Sequence, residues 1–398
     1  MGQNDSRPVH VPASSLSSRG QVFFTVLTHG PLCRRDVAEL TGLSPGAVTR
    51  LAKPMIDAGY LIEAEPVSEG PGRPMVPLQV IPTRRFAIGI KVMATEVVAV
   101  LMDMASTIRV ARRLPVDGTD QSAVVAAIAD AVATLPVKVR GSRSKLVGVG
   151  IGVGGHVDRK LGVVRYSAGL DWRETDLAAS VKSAVGLPVV VENDANTLAV
   201  YEQWFGAGRG VDCFAVVTIG AGIGCGLVLD GAPYTGATGA AGEFGHLIVE
   251  PDGPPCQCGR HGCLESIAGD AGVMVAATEA LGRPITSTDE VHQLALDGSR
   301  PAREVFRRAG TALGRGLAAL VNLINPELLI LSGEGISRVT PMMDAMQESL
   351  TAEAFSSTAR DCRLLVRPLP DETWAAGAAA CMLRSGVLNS LDRLAEAG

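Results

Sequence analysis

The sequence predicts an α/β protein in which a winged helix-turn-helix precedes a larger body built from a repeated α/β lobe. Three observations carry this. Within the first 82 residues the order is helix, short helix, turn, helix, then a hairpin. Further on, two apolar hairpins share one pattern: Phe86–Ile90 with Val97–Asp103, and Phe214–Ile219 with Gly226–Asp230. Mixed strand and helix segments follow each, including Leu146–Gly152 and Leu328–Ser332, which suggests duplicated lobes with a cleft between them. Finally, 398 residues at 47% hydrophobic and 19% charged can fill more than one core, which excludes a disordered chain.

Each element has a local reason. Residues 1–17 are polar and expected to form a disordered tail. From Gln21, the residues Val22, Phe23, Val26 and Leu27 fall at helical spacing, and His29-Gly30-Pro31 ends that helix. Val37, Ala38 and Leu40 mark a second helix stopped by Gly42. Ser44 is a good N-cap and Pro45 a good first residue for a third, whose buried side is Ala47, Val48, Leu51 and Ile56. Pro54 lies inside it. An interior proline costs about 3 kcal/mol, so a kink or an early end is expected there. Tyr60–Ile62 leads into a strand, Glu69–Gly72 forms the turn, and Met75, Pro77 and Leu78 return. These features assign residues 18–82 to the winged helix-turn-helix and 83–398 to the body.

Net charge is −5, and Met1–Ser18 lacks the apolar stretch of a signal peptide. No apolar run approaches the roughly 18 residues that span a bilayer. A soluble, cytoplasmic protein with no membrane partner is expected. The third helix would present Ala47, Thr49 and Arg50 to a major groove, and Arg73 on the hairpin would reach the minor groove. Charge does not discriminate, since residues 1–82 hold seven Lys/Arg and seven Asp/Glu. The alternative is a three-helix protein-interaction module.

The sharpest chemical signal is His246 followed by Cys256, Cys258 and Cys263. One imidazole and three thiolates complete a tetrahedral zinc shell, and a closed shell is structural. One Zn2+ per chain is therefore expected, with His261 a rival nitrogen ligand. Cys33, Cys213, Cys225, Cys362 and Cys381 sit among apolar neighbours and are expected to be buried. Glu243 and His246 are three apart, Glu265 follows the last cysteine, and Val189–Glu192 reads as a strand delivering Asn193 and Asp194. Ligand groups gather at such strand ends, and carboxylates with amides suit sugar hydroxyls. Gly220–Gly226 and Ser332–Gly335 are either phosphate loops or plain hairpin turns.

These residues resemble the ROK family of sugar-responsive repressors and sugar kinases. The resemblance runs from about residue 18 and rests on Glu192-Asn-Asp-Ala-Asn196, Gly242-Glu-Phe-Gly-His246 and Cys256-x-Cys-Gly-x-x-Gly-Cys-x-Glu265. It implies a two-lobed, actin-like (ribonuclease H-like) ATPase-type fold. It implies zinc on His246, Cys256, Cys258 and Cys263, and a sugar surrounded by Asn193, Asp194, Glu243, His246 and Glu265. In kinase members the counterpart of Asp194 is the general base, and a phosphate loop Asp-x-Gly-Gly-Thr is required. Here that stretch is Lys91-Val92-Met93-Ala94-Thr95, so no phosphoryl transfer and no catalytic residue is expected. Gly169 also stands where members often carry Asn.

The implied function is a DNA-binding transcriptional regulator, a repressor, that answers to a sugar or sugar derivative. A homodimer or homotetramer would hold two winged helices at the spacing of operator half-sites. The alternative is an ATP-dependent sugar kinase with an appended DNA-binding domain. A third reading, supported by Gly169, is a regulator without sugar control.

Overall fold

In the computed structural model, residues 16–67 and 74–396 are described, with side chains to residue 394. The expected tail up to residue 15, the turn Glu69–Gly72 and Arg73 lie outside the described residues. Helix α1 (Ser18–His29) starts three residues before the apolar spacing begins, because the Ser17 hydroxyl accepts the Gly20 N–H. After β1 (Leu32–Cys33), α2 (Arg34–Thr41) stops at Gly42, whose φ of +69° is left-handed. Helix α3 (Pro45–Asp57) opens as expected, with Ser44 Oγ accepting from Ala47 N at 3.2 Å. It then continues through Pro54 to Asp57, so of the expected kink or early end the early end does not occur. Pro54 falls in the last turn, so one backbone bond is lost, and the carbonyl left over belongs to exposed Arg50. Buried Met55 favours the extra turn. Strands β2 (Leu61–Glu63) and β3 (Pro77–Val80) pair antiparallel, and β1 adds to β3.

The described residues form two compact units, one within 1–212, 230–232 and 371–398 and one within 213–229 and 233–370. In the first, β4 (Phe86–Val92), β5 (Glu96–Asp103) and β6 (Ile108–Pro115) form an antiparallel meander. Helix α4 (Gln121–Thr134) leads to β7 (Leu146–Val153), parallel to β4. A small sheet of β8 (His156–Asp158), β9 (Val163–Ser167) and β10 (Trp172–Thr175) follows, then α5 (Leu177–Val185). Strand β11 (Val189–Asn193) pairs parallel to β7 and runs straight into α6 (Asp194–Phe205). Every residue of β4 is buried, as in a strand covered on both faces. Ile88, Ile90 and Leu101 pack on Val124 and Ile128, whereas Ala87, Val100 and Met102 join a cluster containing the winged-helix core. Gln121–Lys138 is long and apolar enough for a membrane span, which corrects the expectation that no run approaches that length. Its Val124, Ile128, Ala131 and Leu135 are fully buried against the sheet, as in a core helix.

The second unit repeats this plan. Its strands are β12 (Phe214–Ile219), β13 (Ile223–Leu229), β14 (Ala232–Tyr234), β15 (Leu328–Ser332) and β16 (Arg363–Val366). Its helices are α7 (Leu264–Ala268), α8 (Asp270–Leu281), α9 (Thr288–Leu296), α10 (Arg300–Ile324), α11 (Met343–Glu353) and α12 (Thr358–Asp361). The order β14-β13-β12-β15-β16 matches β6-β5-β4-β7-β11, with the same antiparallel and parallel pairs at its centre. The expected duplication is thus present in strand order. Helix α13 (Asp371–Glu396) then packs on β4 and β7 of the first unit. Gly89 and Gly150 permit this, since a Cβ on either would collide with the backbone carbonyls of Ala375 and Ala378. Cys225, Cys362 and Cys381 are buried as expected, but Cys33 and Cys213 are only half-buried because each sits at an element boundary.

Candidate functional site

The loop after β14 enters a short 3-10 turn, Phe244–His246, with Glu243 at its start. Gly242 before it has φ +86°, and a Cβ there would strike the Cys225 carbonyl. Further on, Gly259 N donates to Cys256 O at 2.9 Å, closing the turn that carries Cys256 and Cys258. Bridges Pro255–His261 and Ile248–Cys263 fix its two ends. The donor atoms of His246, Cys256, Cys258 and Cys263 all lie within 4.8 Å of one another. Cys256 Sγ is 3.7 Å from His246 Nδ1, and Cys258 Sγ is 3.6 Å from Cys263 Sγ. A zinc–sulfur bond of about 2.3 Å gives a tetrahedral edge of about 3.8 Å, so the donor set fits a four-coordinate ion. No two of the eight cysteines are joined in a disulfide. His261 is exposed and stands outside the group.

The thiols differ in their readiness to ionise. Burial raises Cys258, but Arg260 and the neighbouring thiols overcome it and bring its pKa down to about 6. Burial and the neighbouring Cys258 and Cys256 thiols push Cys263 up to about 12.

Glu265, in the first turn of α7, ties this loop to β13. Its Oε2 accepts from Ile223 N at 2.9 Å, and its Oε1 accepts from Gln257 Nε2 at 2.9 Å. Gln257 was not among the residues singled out from the sequence. Its position between Cys256 and Cys258 is the available signal.

The five residues expected around a sugar fall into two sets. Glu243, His246 and Glu265 belong to the second unit, and Asn193 and Asp194 to the first. Asn193 caps α6, accepting from Asn196 N at 3.2 Å and donating to Gly155 O at 2.9 Å. Asp194 Oδ1 accepts from Ala195 N at 2.8 Å. Glu192, 1% exposed, holds the corner by accepting from Asn193 N, Asn196 Nδ2 and Arg159. At Gly169 a Cβ meets nothing within 4 Å, so sterics do not require glycine there.

Lys91 is 4% exposed at the end of β4, and its ammonium lies 4.3 Å from the Trp374 ring centroid. Its neighbour Asp371 also meets Arg113 at 2.9 Å, and Arg113 reaches Glu96 at 2.8 Å. Burial raises the Asp371 carboxyl, but Lys91 and Arg113 hold it below the usual carboxylate range.

On α3, Thr49 and Arg50 are exposed and Ala47 is half-buried. Lys53, three residues after Arg50, is exposed as well and extends that face, which its spacing would have revealed.

Residues 87–385 match the ROK family model. A glucokinase from Halalkalibacterium halodurans is 31% identical over 314 residues, 74% of this chain and 93% of that protein. The xylose repressor of Caldicellulosiruptor bescii is 26% identical over 375 residues, 91% of this chain and 94% of the repressor. Among solved structures, a ROK family transcriptional regulator, a homolog of the Escherichia coli MLC protein, aligns with a TM-score of 0.79 at 25% identity. That alignment covers 94% of this chain and 97% of the regulator. The fold accordingly matches the actin-like ATPase type seen in these relatives. A glucokinase is thus covered almost whole while a quarter of this chain goes unmatched, and the repressor-type relatives match nearly all of it. With the family model matching residues 87–385 and these likenesses, the chain belongs to the ROK family.

Proposed function

We propose that this protein is a DNA-binding transcriptional repressor whose ROK body binds a sugar or sugar derivative. The observation that carries the reading is α3, which offers Thr49, Arg50 and Lys53 to solvent from an N-terminal element that precedes the family-matched segment. Side chains near the start of such a helix read base edges and position phosphates. Asn193 and Asp194 in the first unit, and Glu243, His246 and Glu265 in the second, would each supply donors and acceptors suited to sugar hydroxyls. A homo-oligomer would present two α3 helices to operator half-sites.

Zinc on His246, Cys256, Cys258 and Cys263 would be structural, since four protein donors leave no ligand position for water. With Nδ1 turned to the metal, His246 keeps Nε2 for a hydroxyl. Gln257, held between two thiolates, would fix the Glu265 carboxylate. The sugar acts on DNA affinity only through its different affinities for two conformations.

The second reading, an ATP-dependent sugar kinase, draws support from Asp194 and the glucokinase relative. Against it, Lys91 and Asp371 pair with each other where a kinase needs a carboxylate beside the metal-nucleotide. The test is fluorescence anisotropy on DNA upstream of the protein's own reading frame, with D-glucose, D-xylose and N-acetyl-D-glucosamine, beside an ATP-turnover assay. Saturable DNA binding that one sugar weakens, without ATP turnover, supports the repressor. Sugar-dependent ATP turnover without specific DNA binding returns the kinase.

A further inference from the structure

Helix α6 begins at the expected sugar contacts and ends against the winged helix. Its 12 residues span about 18 Å. No glycine or proline interrupts Asp194–Phe205, and Ala195–Val200, Glu202 and Trp204 are buried. A Cβ on Gly377 would collide with the Thr197 carbonyl, so α13 packs on α6 backbone to backbone. A helix clamped in this way moves as one piece rather than bending.

At its far end, the Trp204 ring lies 4.6 Å from Phe24 in α1. Phe24 meets Phe23 edge-on at 5.4 Å, and Phe23 meets Tyr60 edge-on at 6.1 Å. Tyr60 N in turn donates to the Met55 carbonyl of α3 at 2.8 Å. A second link runs from Arg209, just past α6, whose guanidinium donates to the Thr28 carbonyl in the last turn of α1.

We propose that α6 is the strut that carries sugar occupancy at Asn193 and Asp194 to α3, through the tilted Trp204–Phe24 ring contact and the Arg209–Thr28 bond. Trp204 and Arg209 are therefore positioning residues that touch neither sugar nor DNA. The inference rests on the sugar-responsive repressor reading for its physiological sense, although the mechanical link is testable without a sugar. Interfaces of this kind switch by shifts of about 1–2 Å in a helix.

The experiment uses the full chain with the three sugars named above and the upstream DNA. Trp204→Leu and Arg209→Ala should leave sugar affinity and sugar-free DNA affinity within about threefold of wild type. The factor by which sugar changes DNA affinity should fall about fivefold or more, with Trp204→Phe retaining it. Full coupling in both Trp204→Leu and Arg209→Ala would overturn the strut and leave the repressor reading standing.

A second measurement needs no sugar. In 5-fluorotryptophan-labelled protein, Asn193→Ala removes the α6 cap and should shift the Trp204 resonance and speed amide exchange in α1. If no sugar alters wild-type DNA binding but this shift occurs, the strut stands and sugar control fails. An unmoved Trp204 resonance with unchanged α1 exchange overturns the strut.

Discussion

Lys91 Nζ lies 2.8 Å from Asp371 Oδ1, joining the end of β4 to the first residue of α13. The Lys91 side chain is 5% exposed and that of Asp371 22%, so this is an ion pair largely removed from water. Removing one partner from such a pair leaves a desolvated charge behind. Asp371→Asn should therefore lower unfolding free energy by about 3 kcal/mol, measured by urea titration. Lys91→Met should cost less, because Asp371 keeps Arg113. A Lys91→Met penalty equal to or above that of Asp371→Asn would contradict this.

The same carboxyl has a signed pH dependence. Its pKa in the folded protein is depressed below the unfolded value of about 3.9. Stability from the pair is complete above that value and is lost as pH falls through the lower folded value. Acid titration of Asp371→Asn should show a shallower loss than wild type below about pH 4.

Metal analysis separates the roles of Cys258 and Gln257. Cys258→Ser should take zinc from about one per chain to well below it, leaving three of four donors. Gln257→Ala removes no ligand and should keep its zinc, while sugar affinity falls about tenfold or more, the worth of one hydrogen bond to a charged group. Loss of zinc in Gln257→Ala would tie that side chain to the metal instead.

Gly169→Asn places an amide where the neighbourhood is open. It should fold normally and tighten sugar binding about fivefold, by one added hydrogen bond, in calorimetry. Unchanged affinity would mean that this position lies outside the sugar contacts.

The element order was legible because it rests on short-range chemistry. Ser44 and Pro45 announce α3, Gly42 ends α2, and Val189–Glu192 leads into α6, all where the spacing puts them. The repeat was legible from two apolar hairpins, and strand order confirms it. The cluster of His246 and three cysteines was legible because three of its members are close in sequence. Partners distant in the chain were not. Asp371 is 280 residues from Lys91, and nothing near Lys91 announces it. Trp204 likewise reads as an ordinary core aromatic until Phe24 is seen against it. The expected early end at Pro54 failed because a helical cost was counted without asking which carbonyl it would orphan.

The DNA face can be tested by salt. Arg50→Ala should weaken DNA binding and, if the guanidinium neutralises a phosphate, reduce the slope of log affinity against log salt by about one. Ser44→Ala, which removes the cap, should instead destabilise α3 by about 1 kcal/mol. An Arg50→Ala variant with wild-type affinity and slope would remove Arg50 from the interface.

The central claim is that sugar and DNA occupancy are linked through one conformational equilibrium. Linkage requires the two ligands to change each other's affinity by the same factor. The most direct test is calorimetric titration of the sugar that weakens DNA binding, without DNA and with saturating upstream DNA. DNA should raise the sugar Kd by the factor by which sugar raises the DNA Kd. A sugar Kd indifferent to DNA would contradict it.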